Sequence, residues 1–148
     1  MEDLSNLGVK AIISNGKGQI LVLKVSQKAI ENVKGYTGGV KYDIPGGRVE
    51  RGDTIGSTLA KEVMEETGYT VVNSSYFATV FSQIRLKNEI AGDVGLILAI
   101  YKTEVADGEI KLNYEHDSFE WMSPLDASKA FGDKYSVEFC EKISQLTF

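Results

Sequence analysis

Residues 43–69 read DIPGGRVERGDTIGSTLAKEVMEETGY, and this stretch decides the fold. Its first half is rich in glycine and predicts tight turns, whereas the residues from Thr54 to Thr67 predict a helix. Asp53 or Thr54 would cap the start of that helix, and Gly68 stands where a left-handed residue ends one. The sequence therefore predicts a glycine-rich turn that leads directly into a capped helix.

The predicted helix carries carboxylates beside its apolar stripe. The stripe consists of Ile55, Leu59 and Val63, which are spaced four residues apart. At about 100° per residue, Glu62 and Glu66 project close to the same side of the helix, and Glu65 lies beside them. Like charges this close repel each other, and partial burial raises their pKa values. The arrangement indicates a site for a divalent cation such as Mg²⁺; glutamates that simply face solvent are the alternative.

The spacing of these residues resembles the Nudix box. Gly47 is followed after five residues by Asp53, and after seven more by KEVMEETGY at residues 61–69. The box is glycine, five residues, glutamate, seven residues and then R-E-U-x-E-E-x-G-U, where U is a bulky aliphatic residue. The Asp-Ile-Pro-Gly-Gly sequence at residues 43–47, with strands before it, is also similar to that family.

Two positions depart from the box. Asp53 stands where the box has glutamate, which shortens the carboxylate by one methylene. Lys61 stands where it has arginine, which keeps the charge but loses the planar, bidentate guanidinium. Tyr69 is a looser aromatic substitute at the last aliphatic position. No carboxylate is removed, so we expect these changes to attenuate or retune activity rather than abolish it.

The resemblance implies an α/β/α sandwich with a mixed β-sheet flanked by helices. It also implies metal-dependent hydrolysis of a phosphoanhydride bond in a nucleoside diphosphate linked to another moiety, with Mg²⁺ or Mn²⁺ as the cofactor. Bound cations shield phosphate charge and lower the pKa of a coordinated water, which suits this reaction. The metal ligands carried over from the family are the carbonyl of Gly46 and the side chains of Asp53, Glu62, Glu65 and Glu66.

The general base is not the same throughout the family, which uses either a box glutamate or an acid from a later loop. We favour Glu62, oriented by Lys61, and keep Glu115 as the alternative base or an additional metal ligand. His116 is the only histidine of the chain. It is interpreted either as a base or phosphate contact in the same loop, or as a solvent-facing side chain.

Aromatic and cationic side chains are the candidates for holding the substrate. Arg48 is placed to contact phosphates, because guanidinium groups bind phosphate oxygens in a bidentate manner. Stacking on a nucleobase is the functional interpretation of three aromatic residues, and packing in the core or in a loop is the alternative for each. These residues are Tyr36, Tyr42 and Phe81.

The rest of the chain alternates between strand and helix patterns. A hairpin is predicted over residues 7–14 and 19–25, because Asn15-Gly16 supplies a tight turn. Further strands are expected at residues 40–44, 69–83, 93–105 and 119–122, with polar loops at 26–39 and 84–92 and a helical tail from Ser123 to about Leu146. Strands on both sides of a helix favour a mixed sheet flanked by helices, in an α/β or α+β arrangement.

Composition limits the remaining possibilities. The 148 residues carry a net charge of −5 and one cysteine, Cys140, which excludes an internal disulfide framework and is predicted to be a buried thiol. We expect one domain spanning residues 1–148, since no repeat or charge block divides the chain. The acidic balance argues against a stable complex with nucleic acid or a membrane surface. Because no signal peptide or membrane span is legible, a cytoplasmic location is expected.

A pyrophosphohydrolase acting on a small nucleotide-type substrate is the preferred function. The alternative from another class is a Nudix-fold module that binds a nucleotide without hydrolysing it, for which Asp53 and Lys61 are the argument. A structural protein with an acidic helix is the remaining interpretation. A homodimer is left open as the assembly, because dimers are the commonest soluble oligomers.

Overall fold

The computed structural model describes residues 1–26, 29, 42–132 and 134–148. Its strands are β1 Ser5–Ile13, β2 Ile20–Val25, β3 Tyr42–Asp43, β4 Gly46–Arg48, β5 Val71–Phe81, β6 Leu86–Asn88, β7 Gly92–Val105 and β8 His116–Met122. Its helices are α1 Ile55–Thr67, α2 Pro124–Ala130 and α3 Val137–Ser144. The predicted strand at residues 40–44 is therefore described only from Tyr42 onward.

The strands form two sheets. The larger sheet has the order β4-β1-β7-β5, and the short β6 pairs with the beginning of β7. Strand β1 runs parallel to β7 and antiparallel to β4, which makes this sheet mixed, as predicted. The smaller sheet has the order β3-β2-β8 and is antiparallel.

The helices cover different apolar clusters. Leu59 and Val63 of α1 pack with Val9 and Ala11 of β1, whereas Ile12, the next residue of that strand, packs with side chains of α2 and α3. Successive strand residues point to opposite faces, so α1 and the α2–α3 pair lie on opposite sides of β1. This confirms the predicted α+β class with a mixed sheet flanked by helices. None of the helices in the described ranges is both long and apolar enough to cross a membrane.

The predicted hairpin between β1 and β2 is wrong. Ser14 and Ile20 form one isolated bridge, and the N–H of Asn15 donates to the carbonyl of Gln19 at 3.2 Å. Beyond that turn, β1 joins the larger sheet and β2 the smaller one. Both strands are buried on both faces over most of their length. Each one pairs mainly with a strand that comes much later in the chain, β1 with β7 and β2 with β8.

Two other predicted segments are corrected. The helical tail is divided into α2 and α3, because Gly132 adopts a φ of 60° and Ser136 caps a new helix. Tyr135 in this linker forms a bridge with Ser82, which ties the linker to the end of β5. The loop at residues 84–92 contains β6. Cys140 on α3 packs against the core but is only partly buried, less so than predicted.

The helix α1 begins and ends as its sequence requires. Thr54, rather than Asp53, is the N-cap, and its hydroxyl accepts from the N–H of Ser57 at 3.0 Å. The hydroxyl of Ser57 in turn accepts from the N–H of Thr54, which completes a capping box. Gly68 ends the helix with a φ of 79°, a conformation that favours glycine.

Candidate active site

The glycine turn before α1 lies directly against β1. Gly46 and Gly47 pair with Lys10 and Val9 in an antiparallel register. A Cβ atom on Gly46 would lie 2.0 Å from the carbonyl oxygen of Val9, so a side chain cannot be accommodated there. Contact between backbones therefore fixes the position of this turn relative to the sheet.

Glu66 connects α1 to the same turn. Its Oε2 accepts a 2.9 Å hydrogen bond from the N–H of Gly46, and the residue is only 5% exposed. Burial raises the pKa of Glu66 to about 8, although the positive charge of Lys10 and the hydrogen bond from Gly46 act in the opposite direction. Ionising Glu66 at neutral pH thus requires more positive charge than the surrounding protein supplies.

Glu62 lies immediately over Gly47. A Cβ atom on Gly47 would come within 2.5 Å of Cδ and within 2.8 Å of both carboxylate oxygens of Glu62. The glutamate therefore occupies the space that any other residue at position 47 would fill. In the Nudix box that the sequence resembles, this glycine and this glutamate are both fixed positions, and their contact gives a steric reason for the pairing.

Replacing Gly47 with alanine is expected to displace the carboxylate of Glu62 and lower hydrolytic activity by about 10- to 100-fold, because small misplacements of reacting groups are costly. The contact is with the end of a flexible side chain, so the protein should still fold. Gly56→Ala is the matched control, since a Cβ atom there meets only the hydroxyl of Thr54 at 3.9 Å. Activity assays and thermal unfolding of both variants check this, and equal activities would contradict it.

The three glutamates of α1 differ in burial. Glu66 is buried, Glu62 is partly buried and Glu65 is exposed. Burial, and then the negative charge of Glu65, raise the pKa of Glu62, and the charge of Glu115 acts in the same direction. Crowded, partly buried carboxylates were predicted from the helix periodicity, and Glu62 and Glu66 agree with that prediction.

Glu115 and His116 bring a second element to the site. Each of Glu66, Glu115 and His116 offers one ligand atom, and these three atoms lie within 4.8 Å of one another. The backbone of this segment is held by Ser26, whose N–H donates to the carbonyl of Glu115 at 2.7 Å. The fold therefore brings Glu115 and His116 next to Glu66, although they lie 49 and 50 residues later in the chain.

His116 is not the solvent-facing residue that one sequence interpretation assumed. It is the first residue of β8 and is 8% exposed, and its Nδ1 is buried without a hydrogen-bond partner among the described residues. Burial lowers the pKa of His116 to about 4, against the raising effect of Asp43. The ring is therefore neutral at neutral pH. The solvent-facing interpretation failed because β8 begins three residues earlier than predicted.

A buried ionic network supports the glycine turn from behind. Asp43 accepts hydrogen bonds from Lys10, at 2.9 Å, and from Lys134 and Tyr135 of the α2–α3 linker. Burial acts to raise the pKa of Asp43, but Lys10 and Lys134 hold it well below its usual range. Lys10 also donates to the carbonyl of Ile44 at 3.3 Å. This network could not be predicted from the sequence, because its members are distant along the chain and form no motif.

The two residues that depart from the box contact each other. Nζ of Lys61 lies 3.7 Å from Oδ2 of Asp53, and both side chains are more than a third exposed. Glu50 makes the largest contribution to raising the pKa of Lys61, followed among the acids by Asp53 and Glu62. The predicted role of Lys61 in orienting Glu62 stays a prediction, as does the water-mediated metal contact of Asp53.

The residues predicted to contact the substrate differ in their exposure to solvent. Arg48 is exposed at the end of β4, one residue beyond Gly47. Tyr42 is partly buried and packs against the core, in agreement with the packing alternative. Phe81 is 64% exposed at the end of β5. Tyr36 and most of the predicted loop at residues 26–39 lie outside the described residues.

The arrangement as a whole suits a cation. Carboxylate oxygens of Glu66 and Glu115 and an imidazole nitrogen of His116 lie together, and Glu66 is also tied to the glycine turn. Oxygen ligands of this kind favour hard divalent ions. The model of the family described as NUDIX domain matches residues 4–141, a range that includes all of these side chains. The chain belongs to the Nudix family.

Relatives of this Nudix chain include enzymes named for nucleotide hydrolysis. It is 31% identical over 90 residues to the nucleoside triphosphatase NudI of Escherichia coli strain K12. That match covers 58% of this chain and 64% of NudI, so the chain spans less than two thirds of the length of this curated relative.

Solved structures share the Nudix fold over nearly the whole chain. The MutT protein from Methanosarcina mazei Go1 has a TM-score of 0.71 and 28% identity, and the match covers 98% of this chain and 94% of that one. The MutT NUDIX hydrolase from Burkholderia pseudomallei has a TM-score of 0.67 and 18% identity over 98% and 100% of the two chains. The second likeness supports the fold alone.

Proposed function

We propose that this Nudix protein hydrolyses a phosphoanhydride bond in a nucleoside diphosphate linked to another moiety and that it requires a divalent cation. The observation that carries the proposal is Glu66, a buried carboxylate tied to the Gly46 N–H and grouped within 4.8 Å with Glu115 and His116. Burying a carboxylate costs free energy unless positive charge compensates it, and the pKa of Glu66 stays raised although Lys10 and the Gly46 N–H act in the opposite direction.

The residues present fit Mg²⁺ or Mn²⁺. The raised pKa of Glu66 and the proximity of Glu62 to Glu65 and Glu115 indicate a deficit of positive charge at this position. Glu66, Glu65 and Glu62 would hold the ion together with the carbonyl of Gly46, and Asp53 would contribute through water. Glu115 is a further candidate ligand. When bound, the cation supplies charge neutralisation for the phosphate oxygens and lowers the pKa of water.

The protein's own groups would position and activate the reactants. Glu62, partly buried over Gly47, is our candidate for the general base, and Glu115 is the alternative. Arg48 would bind phosphate oxygens from the exposed end of β4. Phe81, which is exposed at the end of β5, is our first candidate for stacking on a nucleobase, ahead of Tyr36 and of Tyr42, which packs against the core. The name of the relative NudI makes nucleoside triphosphates the first substrates to examine.

A substrate panel tests the proposal. Purified protein would be incubated with nucleoside triphosphates, oxidised nucleoside triphosphates, ADP-ribose and nucleotide sugars, with Mg²⁺ or Mn²⁺, and the products identified by ³¹P NMR. We expect cleavage of at least one compound at a phosphoanhydride bond, and the rate should fall to background when EDTA removes the cation. Absence of turnover with every compound and both cations would overturn the proposal.

The second candidate function is a module that binds a nucleotide without hydrolysing it. The observation in its favour is the ion pair between Asp53 and Lys61. These are the two residues that depart from the box, and they bind each other. Calorimetry on the same panel distinguishes the candidates, since a module would bind a nucleotide and release no product. The single domain over residues 1–148, the cytoplasmic location, the lack of a stable nucleic-acid complex and the homodimer stay predictions.

A further inference from the structure

The group formed by Glu66, Glu115 and His116 contains one ligand that is not an oxygen. The three ligand atoms lie within 4.8 Å of one another, and atoms bound to one ion at about 2.0–2.4 Å are no further apart than about this distance. Two of them are carboxylate oxygens and the third is an imidazole nitrogen. The group therefore has the size and the donor set of a mixed nitrogen and oxygen metal site.

One ring nitrogen of His116 is left without a hydrogen-bond partner in the described part of the chain. Its Nδ1 is buried and makes no hydrogen bond there, although the residue is 8% exposed. An imidazole nitrogen removed from water without a partner costs free energy, and buried polar groups in proteins nearly always have one. A structural histidine would hold its ring by hydrogen bonds, whereas a metal ligand keeps a lone pair free for the ion.

The backbone around His116 is already fixed. The hydroxyl of Ser26 donates to the carbonyl of Tyr114 at 3.0 Å, and the N–H of Ser26 donates to the carbonyl of Glu115. His116 itself pairs with Val25 at the beginning of β8. Three consecutive residues of this segment are thus anchored to the end of β2. A ligand held in this way does not have to be ordered when an ion binds, which favours affinity.

We propose that His116 is a nitrogen ligand in this site, which thereby prefers borderline cations such as Zn²⁺, Co²⁺ or Ni²⁺ to Mg²⁺. The inference rests on the proposed function only in that the cation lies at the site described above. Imidazole suits the later transition metals, whereas Mg²⁺ selects oxygen ligands and retains much of its water.

The single histidine of the chain makes a direct test available. In ¹⁵N-labelled wild-type protein, the ring nitrogens of His116 give one spin system in a long-range ¹H–¹⁵N spectrum. We expect one equivalent of Zn²⁺ to cause a large shift of one ring nitrogen, and Mg²⁺ to cause a much smaller one. A ring that does not respond while Zn²⁺ binds elsewhere would overturn the proposal, and this measurement needs no variant.

Variants test the preference itself. His116→Gln replaces the nitrogen by an amide that offers an oxygen, so the dissociation constant for Zn²⁺ should rise by about tenfold or more, and that for Mg²⁺ by less than about threefold. Glu120→Gln, exposed on the same strand, is the control and should change neither constant. Calorimetry with each metal alone measures both, and an unchanged ratio of the two constants in His116→Gln would overturn the proposal.

The outcomes separate this inference from the proposed function. Hydrolysis of a nucleotide by a protein whose His116 ring ignores Zn²⁺ leaves the function standing and rejects the nitrogen ligand. Ligation of Zn²⁺ by His116 in a protein that hydrolyses nothing supports the site and rejects the enzyme. If calorimetry detects no binding of Zn²⁺, Mg²⁺ or Mn²⁺, both are rejected.

Discussion

Glu62→Gln is expected to lower the kcat for nucleotide hydrolysis by about 10²–10⁴-fold, the usual contribution of a general base. Glutamine has nearly the same shape, so it fits over Gly47 but cannot accept a proton from water. Burial and the charge of Glu65 raise the pKa of Glu62, and this raised pKa makes the carboxylate a better base. Steady-state kinetics at saturating cation measure the effect.

A ligand and a base respond differently to the same substitution. If Glu62 acts as the base, kcat falls while the dissociation constant of the cation changes little, and additional cation does not restore the rate. If Glu62 is mainly a ligand, higher cation concentrations restore much of it. Glu115→Gln is the comparison variant, and Glu141→Gln, exposed on α3, is the control. A loss below tenfold in Glu62→Gln beside a hundredfold loss in Glu115→Gln would transfer the role to Glu115.

The part of the site that could be predicted is the part encoded locally. The spacing from Gly47 to Glu66 determines a turn, an N-cap and one helix face, and α1 begins and ends within one residue of its predicted limits. Those features depend on neighbours a few residues away. The order of burial of Glu62, Glu65 and Glu66 depends instead on how α1 packs against β1 and β4. This packing cannot be deduced from the helix periodicity.

The predicted fold was wrong where a local turn or helix signal competed with pairing to distant segments of the chain. Asn15-Gly16 does form a turn, but β1 pairs over nine positions with β7, more than eighty residues later. Similarly, Ser123 starts a helix as predicted, yet the tail divides at a linker in which Tyr135 forms a bridge with Ser82 and a hydrogen bond with Asp43. Pairing with distant segments cannot be deduced from a turn signal, since the competing strands are equally apolar.

For the same reason, neither the burial of His116 nor the ionic network around Asp43 was predicted. His116 follows Glu115 directly, and a polar sequence around both favoured a solvent-facing loop. Its burial results from the pairing of β8 with β2. Asp43 was noted only as the residue that precedes the Ile-Pro-Gly-Gly turn. Nothing in a single sequence links it with Lys10 and Lys134, which are 33 and 91 residues away.

The network around Asp43 connects the stability of the fold to the site. Asp43 and Lys10 are buried, and Lys134 is almost fully covered. Both ammonium groups share Oδ2 of the one carboxylate, while Tyr135 donates to Oδ1. Removal of that charge would leave two cations in the interior without the negative charge that balances them. Gly46, whose N–H donates to Glu66, lies only three residues away, so a displacement of Asp43 would also displace the proposed metal ligand Glu66.

Asp43→Asn is therefore expected to destabilise the protein by about 3–5 kcal/mol, the usual cost of uncompensated buried charge. Because the pKa of Asp43 is lowered in the folded state, its contribution is present above about pH 4 and is lost as the pH falls further. The difference between wild type and variant should thus be largest near neutral pH and shrink below pH 4. Urea unfolding across this range measures it, with the exposed Asp107→Asn as the control. A loss below about 1 kcal/mol at pH 7 would contradict the assigned role.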